Sequence, residues 1–277
     1  MRPEALRAEW VNPHLQPHAL KVAMIDFDGT VSLLREGWDQ VMIPMMVREL
    51  LPLPGTTEPE SQLSQRVTDF VLKLNGQPTI VQMQALVKEV ELRGGQALRP
   101  EDYKARYLGL LMNQVRERKA AINQQNSAET WTVPGTHQLL EGLQRRAIPM
   151  LLASGTDLAD LRTEAELLRV ARFFGEGIEG PESDNSSFTK ADACDRMLAR
   201  HRLPGSALLN IGDGFVETKV ARERGGIAVG IAYDHDHPGQ LNPWRREQLH
   251  RAGVDIILAD LTQSELLLSW LLDGHAA

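Results

Sequence analysis

The sequence holds a single cysteine, Cys194, among its 277 residues. One thiol makes no intramolecular disulfide and leaves nothing for a cysteine-based zinc site. No apolar run approaches the roughly 18 residues that a membrane-spanning helix needs. The opening stretch, MRPEALRAEW, has no apolar segment of the secretory kind, so no secretory signal is expected and a reducing cytoplasm is the expected compartment. Positive charge is not in excess: 30 Lys and Arg face 37 Asp and Glu, a formal net charge of -7. The usual electrostatic draw toward nucleic acid or an anionic membrane is therefore missing, and neither is expected as a partner. A site for a small anion is not excluded, because a site is built from local charge. Repeats and low-complexity tracts are also lacking. What remains is an ordinary globular composition, 42% hydrophobic and 24% charged, at a length that allows one large domain or two modest ones.

Short apolar runs bounded by turn residues occur at Lys21–Ile25, Ile148–Ala153, Ala207–Ile211, Ile227–Ala232 and Asp255–Leu258. Such runs predict buried strands. Helical spacing fills the gaps between them, over Leu158–Phe174, Ala191–His201 and Val216–Arg224, with Ser264–Leu272 closing the chain. Strands that alternate with helices imply crossover connections and a parallel sheet covered on both faces. The first 20 residues, with Pro13 and Pro17, are expected to be a loose lead-in.

Residues 33–125 differ. They contain no convincing β run. Leu63, Val67, Phe70 and Leu74 recur at helical spacing, as do Ile80, Met83, Val87 and Val90, and then Tyr103, Tyr107, Leu111 and Val115. Pro52–Gly55, Asn75–Pro78 and Gly94-Gly95 punctuate them. The expectation is an all-helical domain at 33–125, inserted into an α/β core formed by 1–32 and 126–277. Asn126–Gly135 reads as a return linker and Thr136–Arg146 as a core helix. The methionines of Val41–Met46 read as packing within the insert or along its seam with the core.

Ligands bind open parallel sheets at the carboxyl ends of the strands, and polar residues gather there. The first strand ends in Asp26-Phe-Asp-Gly-Thr30, the second in Ser154-Gly-Thr156, a later one in Gly212-Asp-Gly214. Asp26 and Asp28 are two apart, which in extended chain puts both carboxylates on one face. Such a pair is costly unless a cation sits beside it or one member is protonated. With Asp213 it would make a hard oxygen site suited to Mg²⁺. Taken alone, Asp-Gly is also a common turn signal. Ser154 and the backbone N–H of Gly155, just before a helix, suit a phosphoryl oxygen, although Thr156 or Asp157 can equally serve as that helix's cap. Lys190 precedes a helix between these sites; alone it reads as a surface lysine.

The ordered set resembles the haloacid dehalogenase (HAD) superfamily of phosphohydrolases. Its motifs run DxDG[TV], then a Ser or Thr closing a strand, then a Lys, then Gly-Asp followed by an acid. Here these are Asp26–Thr30, Ser154–Thr156, Lys190 and Gly212-Asp-Gly-Phe-Val-Glu217. The resemblance implies a Rossmann-like parallel core with a C1-type helical cap, and a phosphatase working through an aspartyl-phosphate. It implies Asp26 as nucleophile and Asp28 as acid and base. Mg²⁺ would be held by Asp26, Asp28 through its backbone carbonyl, and Asp213. Ser154, Gly155 and Lys190 would receive the phosphoryl oxygens. Glu217 departs from the aspartate that many relatives carry; the longer side chain reaches the metal through water or holds Lys190 instead. Arg35, Trp38 and Asp39 are candidates for contact with the leaving group.

The implied substrate is a small phosphorylated metabolite, a sugar phosphate or a phosphoglycolate-like acid. A phosphosugar mutase, a non-catalytic phospho-ligand sensor and an unrelated DxD site for nucleotide-sugars are the alternatives; the last leaves Ser154, Lys190 and Asp213 unexplained. Tyr233-Asp-His-Asp-His237, despite its metal-ligand look, reads as a solvated loop before Pro238-Gly239. Cys194 reads as a buried structural thiol. Oligomeric state is open.

Overall fold

The computed structural model describes residues 2–17, 19–74, 77–125, 127–182 and 187–273. Asn75, Gly76 and Asn126, parts of the predicted punctuation and return linker, lie outside the described residues. Among the described residues seven strands form one sheet: β1 (Glu9–Trp10), β2 (Val22–Ile25), β3 (Met150–Ala153), β4 (Ile178–Glu179), β5 (Leu208–Gly212), β6 (Ile227–Ile231) and β7 (Ile256–Leu258). Their order is β1-β7-β6-β5-β2-β3-β4, all parallel except β1, which runs antiparallel to β7.

The strands read as nearly continuous apolar runs because both faces are buried. Ala23 and Ile25 of β2, Leu209 and Ile211 of β5, and Val229 of β6 enter one core. Helices α5 (Thr136–Arg145), α6 (Leu158–Leu167) and α10 (Ser264–Leu272) cover that face through Leu139, Leu143, Leu161 and Leu267. Val22, Met24, Leu208 and Ala228 enter the opposite core, covered by α7 (Lys190–His201), α8 (Phe215–Arg224) and α9 (Pro243–Ala252). Each fully buried Leu or Ile in these two cores is worth about 1.5–3 kcal/mol.

Between β2 and β3 stand α1 (Trp38–Leu50), α2 (Glu60–Lys73), α3 (Thr79–Leu92) and α4 (Pro100–Gln125). They bury a core of their own: Met42, Met46, Leu63, Met83, Tyr103 and Leu111 are among its members. Pro44 lies inside α1, where it removes one helix hydrogen bond. Among the described residues no helix is long and apolar enough to cross a membrane.

Three expectations need correction. The lead-in contains β1, pinned because Glu9 and Trp10 pair with Ile257 and Ile256, and because Trp10 meets Trp270 edge-on at 4.9 Å. The predicted helix over Leu158–Phe174 ends at Leu167. Arg169 takes a left-handed conformation (φ 60°) and the Val170 N–H turns back to the Ala165 carbonyl, closing the helix. A short 3-10 turn at Ala171–Phe173 and strand β4 follow it. Helix α9 was not anticipated at all.

Candidate active site

The parallel register sets the site. Ile25 lies beside Ile211, and the Asp26 N–H donates to the Ile211 carbonyl at 2.9 Å. Asp26 therefore leaves β2 level with Gly212, the end of β5, and one residue short of Asp213. The chain then curls: the Phe27 carbonyl accepts from Val31 and Ser32, and Gly29 donates to Ser32. Gly29 has φ +78°, and a β-carbon there would sit 2.2 Å from Asp213 Oδ2. Both backbone conformation and space demand glycine.

On the other flank β3 delivers Ser154, whose N–H donates to the Glu179 carbonyl of β4. Ser154 Oγ donates to Asp28 Oδ2 at 3.1 Å and accepts from the Thr156 N–H at 3.0 Å; Thr156 Oγ1 donates to the same Asp28 oxygen at 2.8 Å. Lys190 is placed by the cap of α7: Thr189 Oγ1 accepts from the Asp192 N–H at 3.0 Å, so the lysine opens the helix. Its buried ammonium bonds both Asp26 Oδ1 and Glu217 Oε1. Burial alone would depress the Lys190 pKa; Asp26 and Glu217 outweigh it and hold the group above its ordinary value, firmly charged.

Negative charge still exceeds positive on this side. Burial pushes the Asp26 carboxyl well above the usual range; Lys190 opposes that, while Glu217 and Asp213 add to it. Burial likewise pushes Asp213 up to about 7, against the pull of Arg245. Arg245 Nε lies 3.8 Å from Asp213 Oδ2 while its Nη2 holds Glu36 at 2.8 and 2.9 Å. Glu217 Oε2 and Asp28 Oδ1 are buried with no hydrogen-bond partner among the described residues.

A cavity of about 70 Å³ has Asp26, Asp28, Ser154, Gly155, Thr156 and Lys190 as its floor. Its roof is Arg35, Trp38, Gln77, Thr79, Gln82 and Tyr107, from the insert and the linker into it. Asp26, Asp28, Ser154, Gly155 and Lys190, all singled out in the sequence, thus share one cavity. Asp213 and Glu217 stand outside its lining, the first against Gly29 and the second on Lys190. The three carboxylates Asp26, Asp28 and Asp213 are not one side-chain cluster, because that of Asp28 turns to Ser154 and Thr156. Among the described residues no group of three His, Cys, Asp or Glu side chains is arranged to hold a metal ion. Arg35 and Trp38 line the cavity and Asp39 does not.

Sequence reasoning missed several participants. Thr156 is a direct partner of Asp28, beyond any helix-capping role. Arg245 comes from the unanticipated α9, whose Asn242-Pro243 start is a recognisable signal: Asn242 Oδ1 accepts from the Arg245 N–H at 3.0 Å and proline takes the first helical position. Glu164 of α6 is fully buried and grips Arg35 at 2.7 and 3.2 Å and Lys119 of α4 at 2.9 Å. Nothing local marks it. The loop Tyr233–His237 is a turn built on Asp234, whose Oδ1 accepts from the Asp236 and His237 N–H groups at 3.0 Å.

No protein-family model matches the sequence, and no curated protein matches it. Solved structures do. A beta-phosphoglucomutase from Clostridium difficile is 14% identical, with a TM-score of 0.56, covering 88% of this chain and 92% of that one. A predicted phosphoglycolate phosphatase from Haemophilus somnus is 15% identical, with a TM-score of 0.55, covering 89% and 96%. A haloacid dehalogenase-like protein of unknown function from Agrobacterium tumefaciens is 13% identical, with a TM-score of 0.55, covering 90% and 98%. The chain has the haloacid dehalogenase-like fold, a parallel α/β sheet with helices inserted after its first motif strand.

Proposed function

We propose that this protein is a HAD-type phosphatase, a Mg²⁺-dependent hydrolase of a small phosphorylated metabolite, with residues 33–125 as a C1-type cap. One observation carries the reading: Asp26, Asp28, Ser154, Gly155 and Lys190, delivered by separate elements of the sheet core, line a single cavity. The likeness to phosphatase and phosphoglucomutase structures supports the reaction class. A cytoplasmic setting belongs to the same reading and rests on the lone buried thiol, Cys194.

In this reading a carboxylate oxygen of Asp26 bonds to phosphorus as the ester P–O bond breaks. The departing oxygen keeps the electron pair and takes a proton from the acid form of Asp28. Asp28 then accepts a proton from water as the water oxygen bonds to phosphorus. The P–O bond to Asp26 breaks, returning the carboxylate and inorganic phosphate. The Ser154 and Thr156 hydroxyls, which donate to Asp28, are placed to donate to a phosphoryl oxygen instead. Lys190 spreads transition-state charge and Glu217 holds it in place.

The donor set fits a hard divalent cation. Its oxygens are buried, its carboxylates outnumber its ammonium and guanidinium groups, and Glu217 Oε2 lacks a partner among the described residues. Asp26, Asp213 and the Asp28 carbonyl would hold Mg²⁺, which supplies neutralisation of phosphate charge when bound. Asp26→Asn should abolish p-nitrophenyl phosphate hydrolysis while the circular dichroism spectrum stays native, and chelation should silence the wild type until Mg²⁺ is restored. Turnover retained in Asp26→Asn overturns the reading. A phosphosugar mutase uses the same groups, and the beta-phosphoglucomutase likeness favours it as second choice; phosphate release without a bisphosphate activator decides against it.

A further inference from the structure

Resting on that reading, the roof of the cavity narrows the substrate class. The floor spends its charge on the phosphoryl group: Lys190 is engaged by Asp26 and Glu217. The leaving group must therefore face the roof. Five of the six roof residues are neutral: Trp38, Gln77, Thr79, Gln82 and Tyr107. Gln82 is buried, and its Nε2 donates to the Val71 carbonyl at 3.3 Å, which leaves Oε1 as an acceptor. Thr79 and Tyr107 bring hydroxyls, and Trp38 brings an aromatic body.

Arg35 is the one roof cation, and it is already outnumbered. Glu164 holds it at 2.7 Å, Asp160 stands at 3.5 Å and Asp28 at 3.8 Å. Among the described residues Lys119 is the only other cation bonded to this group, through Glu164. Asp28 enters the proposed reaction as the acid, so two positive charges meet the carboxylates of Glu164 and Asp160 and none is in surplus. A carboxylate brought in on the substrate would be desolvated with no uncommitted cation among the residues that line the cavity. A hydroxyl meets hydrogen-bonding partners instead.

We propose that the substrate is the phosphate monoester of a small neutral polyol or sugar, not of a hydroxy acid, and that Thr79, Gln82 and Tyr107 read its hydroxyl groups. The two substrate classes left open by the motifs are thereby separated by the insert.

The test is a matched pair, 2-hydroxyethyl phosphate against phosphoglycolate, with p-nitrophenyl phosphate as the generic control. The wild type should show kcat/KM about tenfold or more in favour of the hydroxyethyl ester. Thr79→Lys, at the half-buried start of α3, should raise kcat/KM for phosphoglycolate several-fold and shrink the ratio. Gln82→Leu should shrink it from the other side, by lowering kcat/KM for the hydroxyethyl ester. Hydrolysis of the aryl ester with equal or greater efficiency on phosphoglycolate overturns this inference alone. No phosphate release from any of the three overturns the hydrolase reading and this inference with it. The wild-type ratio decides the matter even where a variant fails to fold.

Discussion

On the floor of the cavity, Asp26, Lys190 and Glu217 sit at strand ends and helix starts of the sheet core, buried and bonded to one another. On the roof, Trp38, Thr79, Gln82 and Tyr107 stand on helices whose interior is a separate, methionine-rich core. The floor concentrates charge in a rigid frame fixed by sheet register. The roof offers neutral side chains on a unit whose packing is largely its own. In the proposed reading the floor meets the constant phosphoryl group and the roof meets the part of the substrate that varies. The two meet along a seam of partly buried ion pairs, where Lys119 reaches Glu164 and Lys104 holds Asp157 at 2.9 Å.

The largest effect should come from the floor. Lys190→Met leaves Asp26 and Glu217 buried without their ammonium. It should cost about 3–5 kcal/mol in denaturant unfolding and remove nearly all turnover. A variant as stable as wild type would show that the floor does not depend on its ion pairs. The seam comes next. Glu164→Gln leaves Arg35 and Lys119 without their shared carboxylate and should cost about 3 kcal/mol, with lower thermal stability and altered KM. An unchanged KM would mean that the insert stays seated without this contact.

The smallest effect should lie far from both, where Arg146, the residue that closes α5, ties Glu265 and Asp273 at 2.6 Å beside α10. Arg146→Ala should cost about 1 kcal/mol or less and leave kcat/KM unchanged. Arg146 holds both carboxyls below their ordinary values of 4.5 and 3.8. Its contribution is therefore complete above those values and is lost as the pH falls through the lowered ones. Wild type and variant should converge in stability under acid. A gap that persists there would assign the effect to packing of the arginine stem.

The sheet was legible because strands buried on both faces leave unbroken apolar runs such as Met150–Ala153 and Ile227–Ile231. Strands β1 and β4, two residues each, are too short for any period to register; only tertiary pairing makes them strands. Helix α9 buries just Arg245 and Leu249, too few for an apolar stripe, and only its Asn-Pro start announced it. The floor was legible because strand ends carry their polar residues in short, ordered motifs. The roof was not. Gln82 and Tyr107 lie inside helices whose visible signal is the spacing of neighbours packed the other way, and Glu164 is an acid among many until Arg35 and Lys119 close on it.

Gly155 is where floor and roof touch through backbone alone: a β-carbon there would lie 2.4 Å from the Gln77 carbonyl oxygen. Any foreign helical module transplanted onto this core must therefore seat that carbonyl over the glycine. Swapping individual side chains on the module carries no such requirement, and is the easier road to a new specificity.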